Sequence, residues 1–436
     1  MSNEILTKKY AFELLPRTEG SIEVTVIYAP PQCIDDLRLS LPTTASPMQE
    51  DGFDQVGDSY EWDGETPRPS VTFEKQAKDS STRFGGYSFT DTGGWAITQK
   101  PRITERFSAL GHSVRINEEI TTQDHVAATT DGNIVYIGPY DEYRVNGVDQ
   151  RIRLIVPEAA SLSPSRHSVR QTLKYASKDL HVGARSGEVV AVVAPSGRMS
   201  GLLAGLQSGD SGFWVKDSQG VATPHSTWIH EYIHTRQNVN YSKTTRWIIE
   251  GSANYYAALL AYRQRLASYD EFHDLVSTSK DQHAILAEPD RWPSPYTDYK
   301  KGCRVLAALD AEIRQATDGE TTLESVFWNI NQSDDRLTHP QLTDIVKTVG
   351  TGDLETWLDT HARSTAVPDV PRVPEFFESA YAVPVRGCQP VCPFCDTVAT
   401  AAFCSTCGTE LDAECDKCHT PIAGVEKFCA ACGSEL

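Results

Sequence analysis

The sequence has no long apolar segment. No stretch of its 436 residues approaches the roughly eighteen consecutive apolar side chains that a transmembrane helix needs. The first residues, MSNEILTKKYAFELL, also lack the basic stretch and apolar run of a secretory signal peptide. We therefore expect a cytoplasmic protein without a membrane segment.

Positive charge is in deficit. The chain has 40 Lys and Arg against 59 Asp and Glu, for a formal net charge of −19. An acidic surface repels both nucleic acid and anionic lipid, which argues against a mainly electrostatic grip on either. The acidic proteome of a salt-adapted organism explains this balance equally well.

The length exceeds that of one hydrophobic core, so we expect two or three domains. Residues 1–157 alternate short β-rich runs with turn signals, for example Ser21 to Tyr28 and Arg151 to Val156. This pattern predicts a β-sandwich-like first domain. The whole chain is predicted to be multidomain α+β.

The pattern changes near Ser163. Ser165 can cap a helix with apolar residues at helical spacing, and the run Val189 to Val193 reads as a buried strand. After a second strand-like run, Gly212 to Val215, nearly all of the chain to about residue 380 reads as helix. The predicted segments are Ile248 to Ala267, Tyr269 to Thr278, Tyr299 to Ala316, Leu323 to Ile330 and Leu354 to His361.

A metal-binding motif, HEYIH, begins at His230. On a helix the imidazoles of His230 and His234 leave the same face one turn apart and can bind one ion, and Glu231 can serve as a general base toward water. The alternative to a metal site is a helix with two hydrogen-bonded core histidines. His225 and Arg236 flank the motif, either as solvent-facing polar residues or as substrate contacts.

Glu250 favours the metal site. Catalytic zinc typically has three protein ligands and one water, and Glu250 lies at the start of the next predicted helix, where it can face the two histidines. Asn254, one turn later, either orients a ligand or is an ordinary helix-surface amide.

These motifs resemble those of the gluzincin peptidases, in particular the glycyl aminopeptidase family and, more distantly, the aminopeptidase N family. The matches are HEYIH, Trp247-Ile248-Ile249-Glu250-Gly251 and Tyr299-Lys300-Lys301-Gly302, in that order. The resemblance implies a thermolysin-like, mostly helical catalytic domain over residues 158–382. It also implies that His230, His234 and Glu250 are zinc ligands, that Glu231 is the general base, and that the Tyr299 hydroxyl stabilises the oxyanion.

The sequence departs from that resemblance in three places. The segment between His234 and Glu250 is shorter than is common in aminopeptidase N relatives. Where such aminopeptidases carry a glutamate that grips the substrate α-amine, the nearest counterpart is Gln207. Zinc-type cysteine pairs replace the PDZ-like domain that commonly ends the glycyl aminopeptidases.

Eight of the eleven cysteines form four C-x-x-C pairs near the C-terminus. In sequence order they predict two four-thiolate structural zinc sites, and the segment resembles a double zinc ribbon at residues 388–436. A disulfide-stapled tail is the alternative, and Cys388 is either a bystander or a competing ligand. Cys33 and Cys303 are expected to be buried apolar residues. The predicted ligands are Cys392, Cys395, Cys404 and Cys407 for the first zinc, and Cys415, Cys418, Cys429 and Cys432 for the second.

The sequence therefore predicts a zinc metallopeptidase with one catalytic and two structural zinc ions, acting on peptide or protein substrates. One alternative is a catalytically inactive peptidase-like scaffold that binds a protein partner through the ribbons. A nucleic-acid-binding ribbon protein is a third reading, which the charge balance disfavours. Acidic residues among the cysteines favour protein docking or a purely structural role for the ribbons.

Overall fold

The computed structural model describes residues 3–15, 18, 20–77, 88–91, 94–109, 111–122, 126–128, 134–196, 203–351, 353–378, 413–414 and 421–422. The four C-x-x-C pairs and Cys388 lie outside these residues. The chain divides into two compact units. The first comprises 1–143, 153–161 and 189–217, and the second comprises 144–152, 162–188 and 218–436.

The described strands are numbered in chain order. They are β1 (Asn3–Leu14), β2 (Ser21–Ala29), β3 (Ile34–Ser40), β4 (Ala45–Asp51), β5 (Phe53–Val56), β6 (Ser59–Trp62), β7 (Ser70–Gln76), β8 (Ser88–Asp91), β9 (Trp95–Thr98), β10 (Thr104–Ala109), β11 (Ser113–Thr122), β12 (Val126–Ala128), β13 (Val135–Ile137), β14 (Tyr140–Gly147), β15 (Gln150–Pro157), β16 (Glu188–Ala194), β17 (Gly205–Gln207), β18 (Gly212–Lys216), β19 (Ala413–Glu414) and β20 (Pro421–Ile422).

The described α-helices are α1 (Arg166–Asp179), α2 (Thr227–His234), α3 (Trp247–Arg263), α4 (Tyr269–Val276), α5 (Cys303–Ala316), α6 (Leu323–Asn331), α7 (His339–Val349) and α8 (Asp353–Arg363). A π-helical segment, Asp298–Gly302, leads directly into α5, and short 3₁₀ turns cover Pro289–Arg291 and Pro374–Phe376. No helix among the described residues is long and apolar enough to cross a membrane.

Two antiparallel-rich sheets build most of the first unit. One has the strand order β11-β1-β2-β7-β4 and the other β10-β3-β6-β5, with a third, smaller sheet β12-β13-β9-β8. Inward side chains alternate along β2, as a half-buried strand requires. Residues of the two larger sheets, such as Val24 and Leu37, share one apolar cluster. The β-rich N-terminal domain predicted from the sequence is therefore confirmed.

A further five-stranded sheet has the order β14-β15-β16-β18-β17. β16 pairs in parallel with β18, and Val189 to Ala194 are all fully buried. A strand covered on both faces has a continuous apolar sequence, which explains the run predicted at Val189 to Val193. At the edge of the sheet, β17 pairs antiparallel with β18.

Helices dominate the second unit. Ser165 caps α1 as predicted, its hydroxyl accepting a hydrogen bond from the Ser168 backbone N–H at 3.0 Å. In α2 the apolar face predicted from the motif, Trp228, Ile229, Tyr232 and Ile233, is buried. One face of α2 is thereby anchored in the core.

Two helical features differ from the sequence-based predictions. The helix predicted from Tyr299 begins as a π-helix, so Tyr299 lies in a wider turn than a regular helix would give it. Helix α7 was not predicted. It begins with a capping box in which Thr338 and Gln341 bond reciprocally, and with Pro340 in its first turn.

Candidate metal centre

Helices α2 and α3 carry the predicted metal ligands within the second unit. His230 and His234 lie one turn apart on α2, opposite its buried apolar face, and Glu250 lies in the first turn of α3. The three side chains are largely buried, with exposed fractions of 12%, 11% and 18%. The structure thus brings together the three residues that the sequence singled out.

The three ligand atoms form a nearly equilateral triangle. Nε2 of His230 lies 3.1 Å from Nε2 of His234, and each lies 3.2 Å from Oε2 of Glu250. Zinc bonds of about 2.0–2.2 Å in a tetrahedron separate ligand atoms by roughly 3.3–3.6 Å. The spacing therefore fits a zinc ion after a small outward shift, and two nitrogens with one carboxylate oxygen are a donor set that zinc accepts.

The charges of this cluster are strongly coupled. Burial by itself lowers the pKa of His234, but the charge and hydrogen bond of Glu250, together with smaller contributions from Glu231 and Gln237, raise it to about 9. Burial by itself raises the pKa of Glu250, but the positive charge of the two histidines holds it well below its usual range. The carboxylate is therefore ionised and available to a cation.

Glu231 lies on α2 between the two histidines and is 6% exposed. Its negative charge also contributes to the raised pKa of His234. A buried carboxylate beside the ligands can exchange a proton with a water at the site.

Tyr299 also reaches the cluster. Its ring stacks on the imidazole of His230, with ring centroids 5.6 Å apart and planes inclined by 6°. Two glycines allow this approach: a Cβ on Gly251 would lie 3.0 Å from the backbone carbon of Gly302, so α3 and the π-helical segment cross at close range.

Asn254 holds the backbone of Tyr299 instead of a metal ligand. Its Nδ2 donates a hydrogen bond to the carbonyl of Tyr299 at 2.9 Å. Neither sequence-based alternative, a group orienting a ligand or a free surface amide, describes this contact. Asn254 ties the π-helical turn to the helix that carries Glu250.

Arg236 is buried, so the prediction of a solvent-facing or substrate-contacting side chain is wrong. It is 1% exposed, and its guanidinium donates to the carbonyls of Ala184 and Leu180 and to the hydroxyl of Tyr232. These contacts use all three guanidinium nitrogens to fix the end of α2. His225 is exposed, as predicted.

The other residues singled out in the sequence are not among the residues of this metal centre. Gln207 ends the edge strand β17 of the first unit, and its amide nitrogen donates to the carbonyl of Gly209. Cys303 is buried, whereas Cys33 is half-buried against the apolar cluster of the sandwich. The eight predicted ribbon ligands lie outside the described residues.

Solved structures provide the comparison. An M1 zinc metallopeptidase from Deinococcus radiodurans superposes with a TM-score of 0.50 at 13% sequence identity, covering 85% of this chain and 95% of that one. The fold is that of the M1 zinc metallopeptidases. An aminopeptidase N family protein from Idiomarina loihiensis gives a TM-score of 0.52 at 12% identity, covering 81% of this chain and 73% of that one.

The likeness to the M1 fold is seen in the structure at only 12–13% sequence identity. No protein-family profile matches the chain, and no curated protein matches it. The M1-like fold accounts for the β-rich first unit and the mainly helical second unit.

One residue of the site was missed by sequence reasoning. Oε1 of Gln237 lies 3.0 Å from Nδ1 of His234, the ring nitrogen that faces away from the metal-binding triangle. No local pattern distinguishes this glutamine from a surface one. Its position three residues after the second histidine of the motif is the only signal in the sequence.

Proposed function

We propose that the protein is a zinc-dependent peptidase of the gluzincin type. The observation that carries this proposal is the triangle of His230, His234 and Glu250, whose ligand atoms lie 3.1–3.2 Å apart with Glu231 on the same helix. The M1-like fold supports it. A core pair of histidines would have no physical need for a second buried carboxylate, Glu231, beside them.

Zinc bound here would supply Lewis-acid polarisation of a peptide carbonyl and acidify the attacking water. Glu231 takes the proton of that water as it attacks, and then delivers the proton to the leaving amine. The Tyr299 hydroxyl donates a hydrogen bond to the carbonyl oxygen as it gains negative charge. Stacking on His230 and the Asn254 contact restrict where the Tyr299 side chain can lie.

Aminopeptidase activity is the narrower proposal. A variant of the Deinococcus enzyme has been solved with a bound Tyr-Ser-Ala substrate, and unblocked tripeptides are therefore the first substrates to try. Gln207 is the nearest sequence counterpart of the glutamate that grips the α-amine in such aminopeptidases, and an amide cannot supply the negative charge. We therefore expect weak discrimination between free and acetylated N-termini.

The proposal is tested by incubating the full-length protein with matched free and N-acetylated peptides and following hydrolysis by mass spectrometry. We expect cleavage that stops on zinc chelation and returns on zinc addition. Absence of cleavage in a zinc-loaded sample across a broad peptide library would favour the second candidate, an inactive scaffold. The glutamine at position 207, in place of the amine-binding glutamate of such aminopeptidases, is the observation that favours the scaffold.

The C-terminal segment completes the proposal. We propose three domains, at residues 1–157, 158–382 and 388–436, with the second thermolysin-like and the third a double zinc ribbon. The four C-x-x-C pairs support two structural zinc ions, three zinc ions in all. The ribbons would either bind a protein partner or have a purely structural role.

Zinc binding at the histidine site should depend on pH. The pKa of His234 is raised to about 9 in the metal-free cluster, so His234 is protonated at neutral pH and zinc must displace the proton. We expect the affinity to rise by up to about tenfold per pH unit between pH 6.5 and 8.5. Chelator competition at several pH values measures this.

The predicted ribbon thiols would also bind zinc in a pH-dependent way, so their contribution must be measured separately and subtracted. The His230→Ala/His234→Ala variant provides it, because it leaves all eight cysteines unchanged. An affinity of the additional wild-type site that does not change over this pH range would contradict the prediction.

A further inference from the structure

Gln237 connects the second histidine of the cluster to the helix that carries Glu250. We propose that Gln237 is a positioning residue of the metal centre, which fixes the tautomer and the ring orientation of His234 and the spacing between His234 and Glu250. This inference rests on the proposed function. It adds a residue that lies outside the HExxH motif and the glutamate that follows it.

The hydrogen-bond partners of Gln237 determine the orientation of its amide. Nε2 lies 2.9 Å from the backbone carbonyl of Ile249 and 2.8 Å from Oγ of Ser252. A backbone carbonyl can only accept, so the amide nitrogen must point toward Ile249. Oε1 therefore faces His234, where it lies 3.0 Å from Nδ1.

This orientation fixes the proton on the imidazole. Because Oε1 can only accept, Nδ1 of His234 must carry the hydrogen, and in the neutral ring the lone pair is then on Nε2. Nε2 is the atom that lies 3.1 Å from His230 and 3.2 Å from Glu250. Gln237 thus presents His234 in the one neutral form that can bind a metal at the triangle.

The same amide joins the two helices. Ile249 directly precedes Glu250 in the first turn of α3. Ser252 follows Glu250 by two residues on the same helix and is fully buried. The Ser252 hydroxyl in turn donates to the Ile249 carbonyl at 3.3 Å. A displacement of α3 relative to the end of α2 would therefore break bonds to Gln237 and change the distance from His234 to Glu250.

The backbone of Gln237 is itself held on both sides. Asn331, 6% exposed at the end of α6, donates to the carbonyl of Arg236 at 3.1 Å and accepts from the N–H of Asn238 at 3.0 Å. The Gln237 N–H bonds to the carbonyl of His234 at 3.2 Å. Hydrogen bonds within the protein therefore position the glutamine, which is how a group around a metal ligand raises affinity.

The test is the zinc affinity of the histidine site in the full-length protein, measured by chelator competition after subtracting the His230→Ala/His234→Ala background. Gln237→Leu keeps the size of the side chain and removes all its hydrogen bonds. We expect the zinc Kd to rise about 10–100-fold, the range typical for residues that orient a metal ligand. Gln315→Leu, at an exposed position on α5, is the matched control and should leave the Kd unchanged.

Gln237→Glu separates the two roles. The carboxylate still accepts from Nδ1 of His234 but cannot donate to Ile249, so we expect a smaller loss than in Gln237→Leu. Ser252→Ala removes one of the two hydrogen-bond acceptors of the Gln237 amide nitrogen and should weaken zinc binding by less than either change at Gln237. A Gln237→Leu variant that melts at a lower temperature yet binds zinc within twofold of wild type would show a purely structural role and overturn the inference.

The outcomes also separate this inference from the proposed function. If the wild type and the His230→Ala/His234→Ala variant bind the same number of zinc ions, the proposed metal site is wrong. If the wild type binds one more zinc and neither Gln237 variant changes its affinity, only the role of Gln237 is wrong. Equal losses in Gln237→Leu and Gln237→Glu would assign the effect to the anchor on α3 and contradict the role of the acceptor.

Discussion

Glu231→Gln is expected to lower kcat/KM for peptide hydrolysis by roughly 10²–10⁴-fold, the range that a positioned general base contributes. The glutamine has nearly the same shape but cannot take a proton from the attacking water or return one to the leaving amine. The ligand set is unchanged, so the zinc content should equal that of the wild type. Steady-state kinetics on one peptide, together with elemental analysis of the same samples, measures both.

The control for this variant is Glu320→Gln, which makes the same chemical change at an exposed position after α5. It should retain full activity. Retention of the parent rate by Glu231→Gln would contradict the role of general base. Loss of zinc from that variant would show instead that Glu231 contributes to the ligand set.

Glu250→Ala is expected to abolish zinc binding at the histidine site at micromolar zinc. It removes one of the three ligand atoms and a carboxylate that raises the pKa of His234 by both charge and direct contact. The loss of affinity should exceed the 10–100-fold typical of a residue that merely orients a ligand. Peptide hydrolysis at limiting zinc should disappear with it.

The matched control is Glu320→Ala, which removes an exposed carboxylate of the same type. Circular dichroism and the melting temperature establish whether the Glu250→Ala variant is folded. A folded Glu250→Ala protein that still binds the additional zinc within twofold of the wild-type affinity would contradict the proposed ligand set.

The local features were predictable because each one leaves its own pattern. The cap at Ser165, the apolar face of α2 and the buried strand at Val189 to Val193 each depend on neighbours in the chain, and the structure has all three. The spacing of His230, Glu231 and His234 is equally local. Glu250 was predicted beside them because it begins the next predicted helix, where it can face the two histidines.

The features that were missed depend on partners far along the chain. The sequence around Arg236 suggests a surface residue, because its partners, the carbonyls of Leu180 and Ala184, lie 56 and 52 positions earlier in the chain. The π-helical segment at Tyr299 crosses α3 where Gly302 meets Gly251, 51 positions earlier in the chain, and the sequence around Tyr299 does not reveal that contact. Gln237 was missed for a related reason, because two of its partners, Ile249 and Ser252, lie on the next helix.

The most direct test of the central claim is the number of zinc ions per chain in the full-length protein and in its His230→Ala/His234→Ala variant, by elemental analysis after removal of loosely bound metal. We predict about three zinc ions in the wild type and about two in the variant. Equal zinc content in two folded samples would show that the triangle of His230, His234 and Glu250 holds no metal, and would contradict the assignment of a zinc peptidase.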